Sequence, residues 1–385
     1  MWRHVASNAL TMLIVGIFLL GGLILWGQSE YQAQGPLDEQ ICLRVERGSN
    51  VSKVSSRLAD QGAISSGMLL RVGMDYADQT AKLKAGSYLV PAGASMSDIA
   101  TIITKGGAST CGTEVVFRVG VTRLSTVVRE LDPATNKFVE KAKFDPSADE
   151  APQAYTDVIA QSGTRFRLAV AEGVTSWQIL EGLKSVSLLE GAAGDVPAEG
   201  SLAPDSYEFK KGDKRADLLA DMSESQTAIL AAAWEKRVDG LPVSSPEEAL
   251  VLASLIEKET GVARERRQVA SVFVNRLNQG MRLQTDPTVI YGITKGQGIL
   301  GRGLRQSELR RETPYNTYAI PGLTPTPIAN PGRLAIEAAL NPDETPYIFF
   351  VADGTGGHAF AVTIQEHNKN VAEWRKIEAA RKAEN

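Results

Sequence analysis

The hydrophobic pattern changes character three times along the chain. From Ala9 to Trp26 no charge interrupts ALTMLIVGIFLLGGLILW, about the length a helix rising ~1.5 Å per residue needs to cross a bilayer core. Residues 27–39 are polar and read as a linker. Beyond them a short strand, a glycine turn, a hydroxyl residue and a helix with apolar spacing recur. The unit spans Leu43 to Leu58 with Gly48 at its turn, Tyr88 to Ile103 with Gly93, and Phe166 to Leu183 with Gly173. Glycine suits the turn and the hydroxyl caps the helix that follows. Phe117 to Thr122 is a weaker echo with a shortened turn. Residues 132–164 are polar, rich in Ala, Asp and Lys, and read as an insert or linker.

The third pattern is a pair of amphipathic helices. Ser244-Ser-Pro-Glu-Glu248 opens the first, with Ser245 as N-cap, Pro246 in the first turn and Glu248 completing a capping box. At about 100° per residue, Val251, Leu252, Leu255 and Ile256 form one stripe, with Glu259 in its middle. Glu257 projects about 200° away, onto the side of Ser254 and Gly261, and is expected to be solvated. A carboxyl on an apolar face loses hydration, which favours its protonated form and makes it a candidate general acid. The alternative is a glutamate paired with a buried arginine. Gly261 ends or bends this helix. A second helix is expected from Val262 to Gln279, with Val269, Val272, Phe273 and Leu277 inward and a stop at Gly280.

With 385 residues and 43% hydrophobic content, two or more domains with ordinary cores are expected. A net charge of −4 argues against a nucleic-acid binder, which needs a basic surface. Arg3 and His4 precede the apolar run, and Glu30, Asp38 and Glu39 follow it. The positive-inside rule then leaves residues 1–8 in the cytoplasm, with residues 9–26 as a single-pass anchor in the inner membrane. The run is longer than the ~7–15 apolar residues of a cleaved signal peptide. Cys42 and Cys111 fall in an oxidising compartment, either as a disulfide closing a loop of about 70 residues or as two buried thiols. Gly296-Gln-Gly-Ile-Leu-Gly301 fits G-x-G-x-x-G, yet no apolar helix opens from it, and it reads as a mobile loop over a cleft. His358 and His367 lack zinc-ligand spacing and are expected to be structural or to contact substrate, so no metal or cofactor is expected.

The strand–helix units resemble LysM-like modules, which bind the N-acetylglucosamine-containing glycan of cell walls. A wider resemblance centres on residues 252–293, LASLIEKETGVARERRQVASVFVNRLNQGMRLQTDPTVIYGI. It continues through Pro204-Asp-Ser-Tyr207, Thr313-Pro-Tyr-Asn-Thr-Tyr318, Gly322 to Gly332, Gly356-Gly-His-Ala-Phe360 and Glu366-His-Asn368. Together these segments resemble the endolytic murein transglycosylase (YceG-like) family over roughly residues 40–375, most weakly between 109 and 164. Thr324 stands where that family usually has proline.

The resemblance implies an α+β protein with a LysM-like domain at 40–108, an insert at 109–164 and a catalytic domain at 165–385. It implies non-hydrolytic cleavage of peptidoglycan strands, with Glu259, the second glutamate of Glu257-Lys-Glu-Thr260, as the acid. Gln284 and Thr285 are expected to bind the sugar. Asp286 is the rival second carboxyl, with a helix N-cap as its ordinary role. Tyr315 and Asn316 are expected to orient an N-acetyl group, and Tyr318 either to bind substrate or to sit in the core. Expected partners are peptidoglycan strands, penicillin-binding proteins as synthases, and the inner membrane, but no nucleic acid.

Overall fold

A computed structural model describes residues 2–384 apart from 47, 106–109 and 162. The chain divides into two units. One holds residues 1–116, 127–144 and 150–166, and the other holds 117–126, 145–149 and 167–385.

The first unit begins with α1 (Trp2–Gln32), which contains the apolar run. Its side chains from Met12 to Trp26 are exposed, Phe18 at 77%, and the helix is long and apolar enough to cross a membrane. β1 (Ile41–Val45), α2 (Val51–Asp60), α3 (Gly67–Tyr76), β2 (Gly86–Val90) and α4 (Met96–Lys105) follow. β1 and β2 pair antiparallel, from Ile41 opposite Val90 to Val45 opposite Gly86. Alternation turns Leu43, Val45, Tyr88 and Val90 into one core with Val54, Leu58, Leu70, Met74, Ile99 and Ile103. The first two repeats are these strands with their helices. Asn50, rather than a serine, caps α2 by accepting from the Lys53 amide at 2.9 Å. Ser95 Oγ accepts from the Asp98 amide at 3.1 Å ahead of α4. Cys42 and Cys111 form a disulfide with Cα atoms 5.8 Å apart.

β3 (Thr113–Val119), β4 (Leu124–Asp132), β5 (Lys137–Phe144), β6 (Arg165–Val170) and β7 (Ser206–Phe209) form a sheet of order β5-β4-β3-β6-β7. The echo at Phe117 to Thr122 therefore ends β3 and makes the bend ahead of β4, with no helix after it. The polar stretch at 132–164 contains β5 and α5 (Gln153–Ile159).

The second unit takes up the third repeat. β6 leads through Gly173 into α6 (Ser176–Ser185), where Thr175 and Gln178 form a capping box. α7 (Arg215–Glu235), α8 (Pro246–Glu259), α9 (Arg266–Asn278), α10 (Asp286–Thr294), α11 (Gln306–Arg310) and α12 (Arg333–Leu340) come next. The antiparallel hairpin β8 (Phe349–Ala352) and β9 (His358–Ala361) precedes α13 (Ile364–Glu384). The result is a mixed α+β fold.

α8 is the axis of this unit, with α7, α9, α10 and α12 packed around it. Burial therefore extends around the helix, and the expected polar side is absent. Ser254 is fully buried; its hydroxyl donates to the Val251 carbonyl at 2.7 Å and accepts from the Ile328 amide at 3.0 Å. Ser245 caps the helix as expected, accepting from the Glu248 amide at 3.2 Å. The Glu248 carboxylate answers one residue further out, at the Ser244 amide 2.7 Å away. The helix ends at Glu259, before Gly261. A single 3-10 turn over Ala263–Glu265 then delays the second helix to Arg266.

Candidate active site

Glu259 is the last residue of the buried α8, so its side chain leaves the core where the helix stops. Its carboxyl accepts a hydrogen bond from the Thr285 hydroxyl. Thr285 occupies the N-cap position of α10 yet makes no side-chain cap, because its hydroxyl is turned to Glu259. Its backbone is pinned by a buried threonine network. The Thr285 amide donates to Thr317 Oγ1 at 3.1 Å, and Thr288 Oγ1 lies 2.9 Å from the same hydroxyl. Gln284 enters this turn with φ of 53°, and its amide donates to the Thr317 carbonyl at 3.1 Å.

Burial is the main influence on the Glu259 carboxyl and pushes it above the ordinary carboxylate range; Asp286 adds in the same direction. The Thr285 bond and the charges of His358 and Arg276 oppose the rise. Both side chains are held in place. Arg276, 7% exposed, donates from Nε to the Ile348 carbonyl and from Nη1 to the Leu283 carbonyl, each at 2.7 Å. His358 Nδ1 lies 3.1 Å from the Glu265 carboxylate, with the ring edge-on to Phe350.

Asp286 is exposed and is the first residue of α10, with Pro287 behind it; Thr285, not Asp286, holds the N-cap position. The Tyr318 hydroxyl donates to Asp286 Oδ1 at 2.7 Å. Burial and the Asp286 charge hold that hydroxyl above the usual tyrosine range. Glu259, Thr285, Asp286 and Tyr318 thus come together, with the exposed Gln284 next in the chain to Thr285.

Two predicted residues lie elsewhere. Asn316 is fully buried; its amide donates to the carbonyls of Glu308, Leu309 and Arg311, and its oxygen accepts from the Tyr318 amide. That side chain orders a loop and presents no exposed atom to an N-acetyl group. Tyr315 lines a cavity of about 850 Å³ with Tyr291, Leu250 and Val251. Its hydroxyl lies 2.9 Å from Thr326 Oγ1. Eight residues of helix separate Val251 from Glu259, a rise of ~12 Å.

Glu257 is not solvated. Its side chain is 4% exposed and lies 3.6 Å from Arg266 Nη2, itself 6% exposed. It also accepts from the Gly332 amide at 3.0 Å, and Glu172 meets the same guanidinium at 3.2 Å. The buried arginine considered for Glu259 is therefore the partner of Glu257. Burial raises the Glu257 carboxyl, which the Gly332 bond and Arg266 only partly offset.

Sequence reasoning missed Arg276, the Glu265–His358 pair, Lys258 and Glu199. Glu199 is held raised by burial while accepting from the Ser176 amide at 2.8 Å and from the Tyr291 hydroxyl at 3.2 Å. Its segment carries no periodic signal, since the contacts come from distant parts of the chain. The G-x-G-x-x-G stretch is pinned by Thr175 Oγ1, which donates to the Gly296 carbonyl at 2.6 Å. His367 stacks on Phe349 at 5.1 Å.

Comparison with known proteins identifies a family. The YceG-like family matches residues 43–373. The endolytic murein transglycosylase of Bacillus subtilis is 30% identical over 358 residues, covering 91% of this chain and 89% of that protein. A protein of the same name from Streptococcus pneumoniae is 26% identical over 398 residues, covering 96% of this chain, which spans 65% of its length. A crystal structure of a yceG-like protein from Listeria monocytogenes shares 25% identity with a TM-score of 0.46, covering 86% of this chain and 99% of that one. With the family match running through most of the chain and through every element that surrounds Glu259, the protein belongs to the YceG-like family.

Proposed function

We propose that this protein is an endolytic peptidoglycan lytic transglycosylase that uses Glu259 as its single acid and base. One observation carries the reading: the Glu259 carboxyl is raised by burial, accepts from Thr285 and has an exposed Asp286 as its neighbour. The relatives named endolytic murein transglycosylase support the same activity.

In the reaction Glu259 gives its proton to the oxygen joining N-acetylmuramic acid to N-acetylglucosamine. The bond from that oxygen to the muramic C1 breaks, and positive charge builds on C1. The 6-hydroxyl of the same muramic sugar attacks C1, and its proton returns to Glu259. The products are a free 4-hydroxyl end and a 1,6-anhydro-muramyl end, with no water consumed. Ordinary glycosidases need a second carboxylate as nucleophile or water-activating base; an internal hydroxyl removes that need. Thr285, His358 and Arg276 stabilise the carboxylate between its two proton transfers. Asp286, oriented by Tyr318, faces the charge developing on C1, and Gln284 hydrogen-bonds the sugar.

The wider setting follows from the same reading. α1 is a single membrane span with its N-terminus in the cytoplasm, which restricts the periplasmic remainder to strands near the inner membrane. The β1-α2-α3-β2 arrangement is a LysM-like glycan-binding module. The activity limits the length of nascent strands beside peptidoglycan synthases of the penicillin-binding class.

Mass spectrometry of digested peptidoglycan tests the chemistry. Anhydro ends are expected, and Glu259→Gln is expected to lower their rate of formation by at least about 100-fold. Reducing ends instead would assign Asp286 to water activation and make the protein a muramidase. Unchanged function of Glu259→Gln in cells would make it a wall-binding scaffold.

A further inference from the structure

A cavity of about 390 Å³ opens beside Lys258 and Pro287, the chain neighbours of Glu259 and Asp286. Among the described residues its charged lining is Lys258 and Arg302, with no carboxylate. Gln178 and Thr294 supply neutral hydrogen-bonding groups, and Ile290 and Ile299 supply apolar wall. The volume lies within the ~300–1,000 Å³ range of small-ligand pockets.

Lys258 is the informative member. Its ammonium donates to the Gly173 carbonyl at 3.1 Å, leaving two of its three N–H groups for another acceptor. Burial lowers its affinity for a proton, with the charges of Glu257 and Glu199 opposing that trend. A poorly hydrated ammonium of this kind gains from an incoming anion. Arg302 is bound to Glu308 at 2.6 Å and partly neutralised, so Lys258 is the stronger anion contact. The wall formed by the glycine-rich loop is fixed at Gly296, where an added Cβ would sit 3.1 Å from the Tyr291 ring and 3.2 Å from Glu199.

We infer that this cavity receives the peptide carried by the glycan strand, and that Lys258 binds a carboxylate of that peptide. The inference rests on the transglycosylase reading above. The muramic sugar bears both the bond that breaks and the peptide substituent, so the peptide must leave the strand within a few bonds of the Glu259 carboxyl. A partly apolar cavity with a cation held by a backbone carbonyl, one residue along the same helix, matches a short peptide ending in or carrying carboxylates.

The test compares kcat/KM of the full-length protein on peptide-bearing strands and on strands stripped of peptide by an amidase, scoring anhydro ends in both. Wild type is expected to prefer peptide-bearing strands by about tenfold, the worth of one charge-assisted contact. Lys258→Gln is expected to bring that ratio close to one. Arg302→Gln, at the exposed edge where folding is not at risk, is expected to reduce it by a smaller factor. A wild-type ratio of one, or a ratio that Lys258→Gln leaves unchanged, overturns the inference while the transglycosylase reading stands. Absence of anhydro ends from both substrates overturns the reading itself and the inference with it.

Discussion

Glu257 and Glu259 are two positions apart on one helix, and burial acts on both with different outcomes. Glu257 has Arg266 and the Gly332 amide as partners; Glu259 has a neutral hydroxyl as its hydrogen-bond donor. Burial raises both carboxyls. A glutamate raised in the folded state contributes stability that is complete below its unfolded value and is lost as pH rises through the folded one. Glu259→Gln, which cannot ionise, is therefore expected to be more stable than wild type at pH 8, by about 1 kcal/mol, while inactive. The gain should vanish at pH 4, and denaturant titrations at the two pH values measure it. Glu257→Gln retains a partner for Gly332 and should stay within ~1 kcal/mol of wild type with most of its activity, because the cost of burying the charge offsets its attraction to Arg266. Glu257→Ala should lose roughly 3 kcal/mol, since Arg266 then keeps only Glu172. If Glu257→Gln were the inactivating change and Glu259→Gln were not, the assignment of roles would reverse.

Helix α8 works as an element because both of its ends are defined while its middle is surrounded. Ser245 and Pro246 start it, and Glu248 closes the entry through Ser244. The extended Thr260 stops it so that Glu259 sits at the rim. Ser245→Ala is expected to cost about 1 kcal/mol in equilibrium unfolding, with kcat/KM little changed, because the cap lies at the end far from Glu259. The loop that carries Tyr318 depends on Asn316 instead. Asn316→Ala strands three carbonyls, Glu308, Leu309 and Arg311, and should cost roughly 2–4 kcal/mol. Activity should fall with it, because Tyr318 loses the bond from its amide to Asn316. Thermal unfolding and kinetics on the same samples check both changes. The caps, the stripe and the glycine turns were readable in the chain because they depend on neighbours within about four residues. The burial of Ser254 and Glu257 was not, since it is produced by α7, α9, α10 and α12 arriving from elsewhere.

In the molecule as a whole, long connections do what local patterns cannot. The Cys42–Cys111 bridge joins residues 69 apart in sequence, and in the chain-entropy model it contributes about 4 kcal/mol. Cys42→Ser with Cys111→Ser, or exposure to strong reductant, is expected to lower the unfolding free energy of the first unit by roughly that amount, measured as a drop in denaturant midpoint. Composition allowed the bridge without deciding it; the antiparallel pairing of β1 with β2 carries Cys42, opposite Leu89. Likewise the polar stretch after residue 132 offered no apolar run long enough to mark a strand, yet β5 forms as the outermost strand of its sheet. A strand at a sheet edge needs less apolar surface than one in the middle.

Local order along the chain thus specified the apolar helix, the repeated strand–turn–helix units, the start of α8 and the apolar placement of Glu259, because each is a matter of periodicity and capping over a few residues. It could not say what would face those residues. Tertiary packing decided that Glu257 shares a buried arginine and that Thr285 turns from capping α10 to bonding Glu259. It also decided that Asn316 serves the loop and that Lys258 looks into a cavity whose lining, among the described residues, holds no acid. These outcomes depend on groups 26, 75 or 85 residues away in sequence. A carboxyl's protonation state depends on the water and charges left around it, and only the assembled fold determines those.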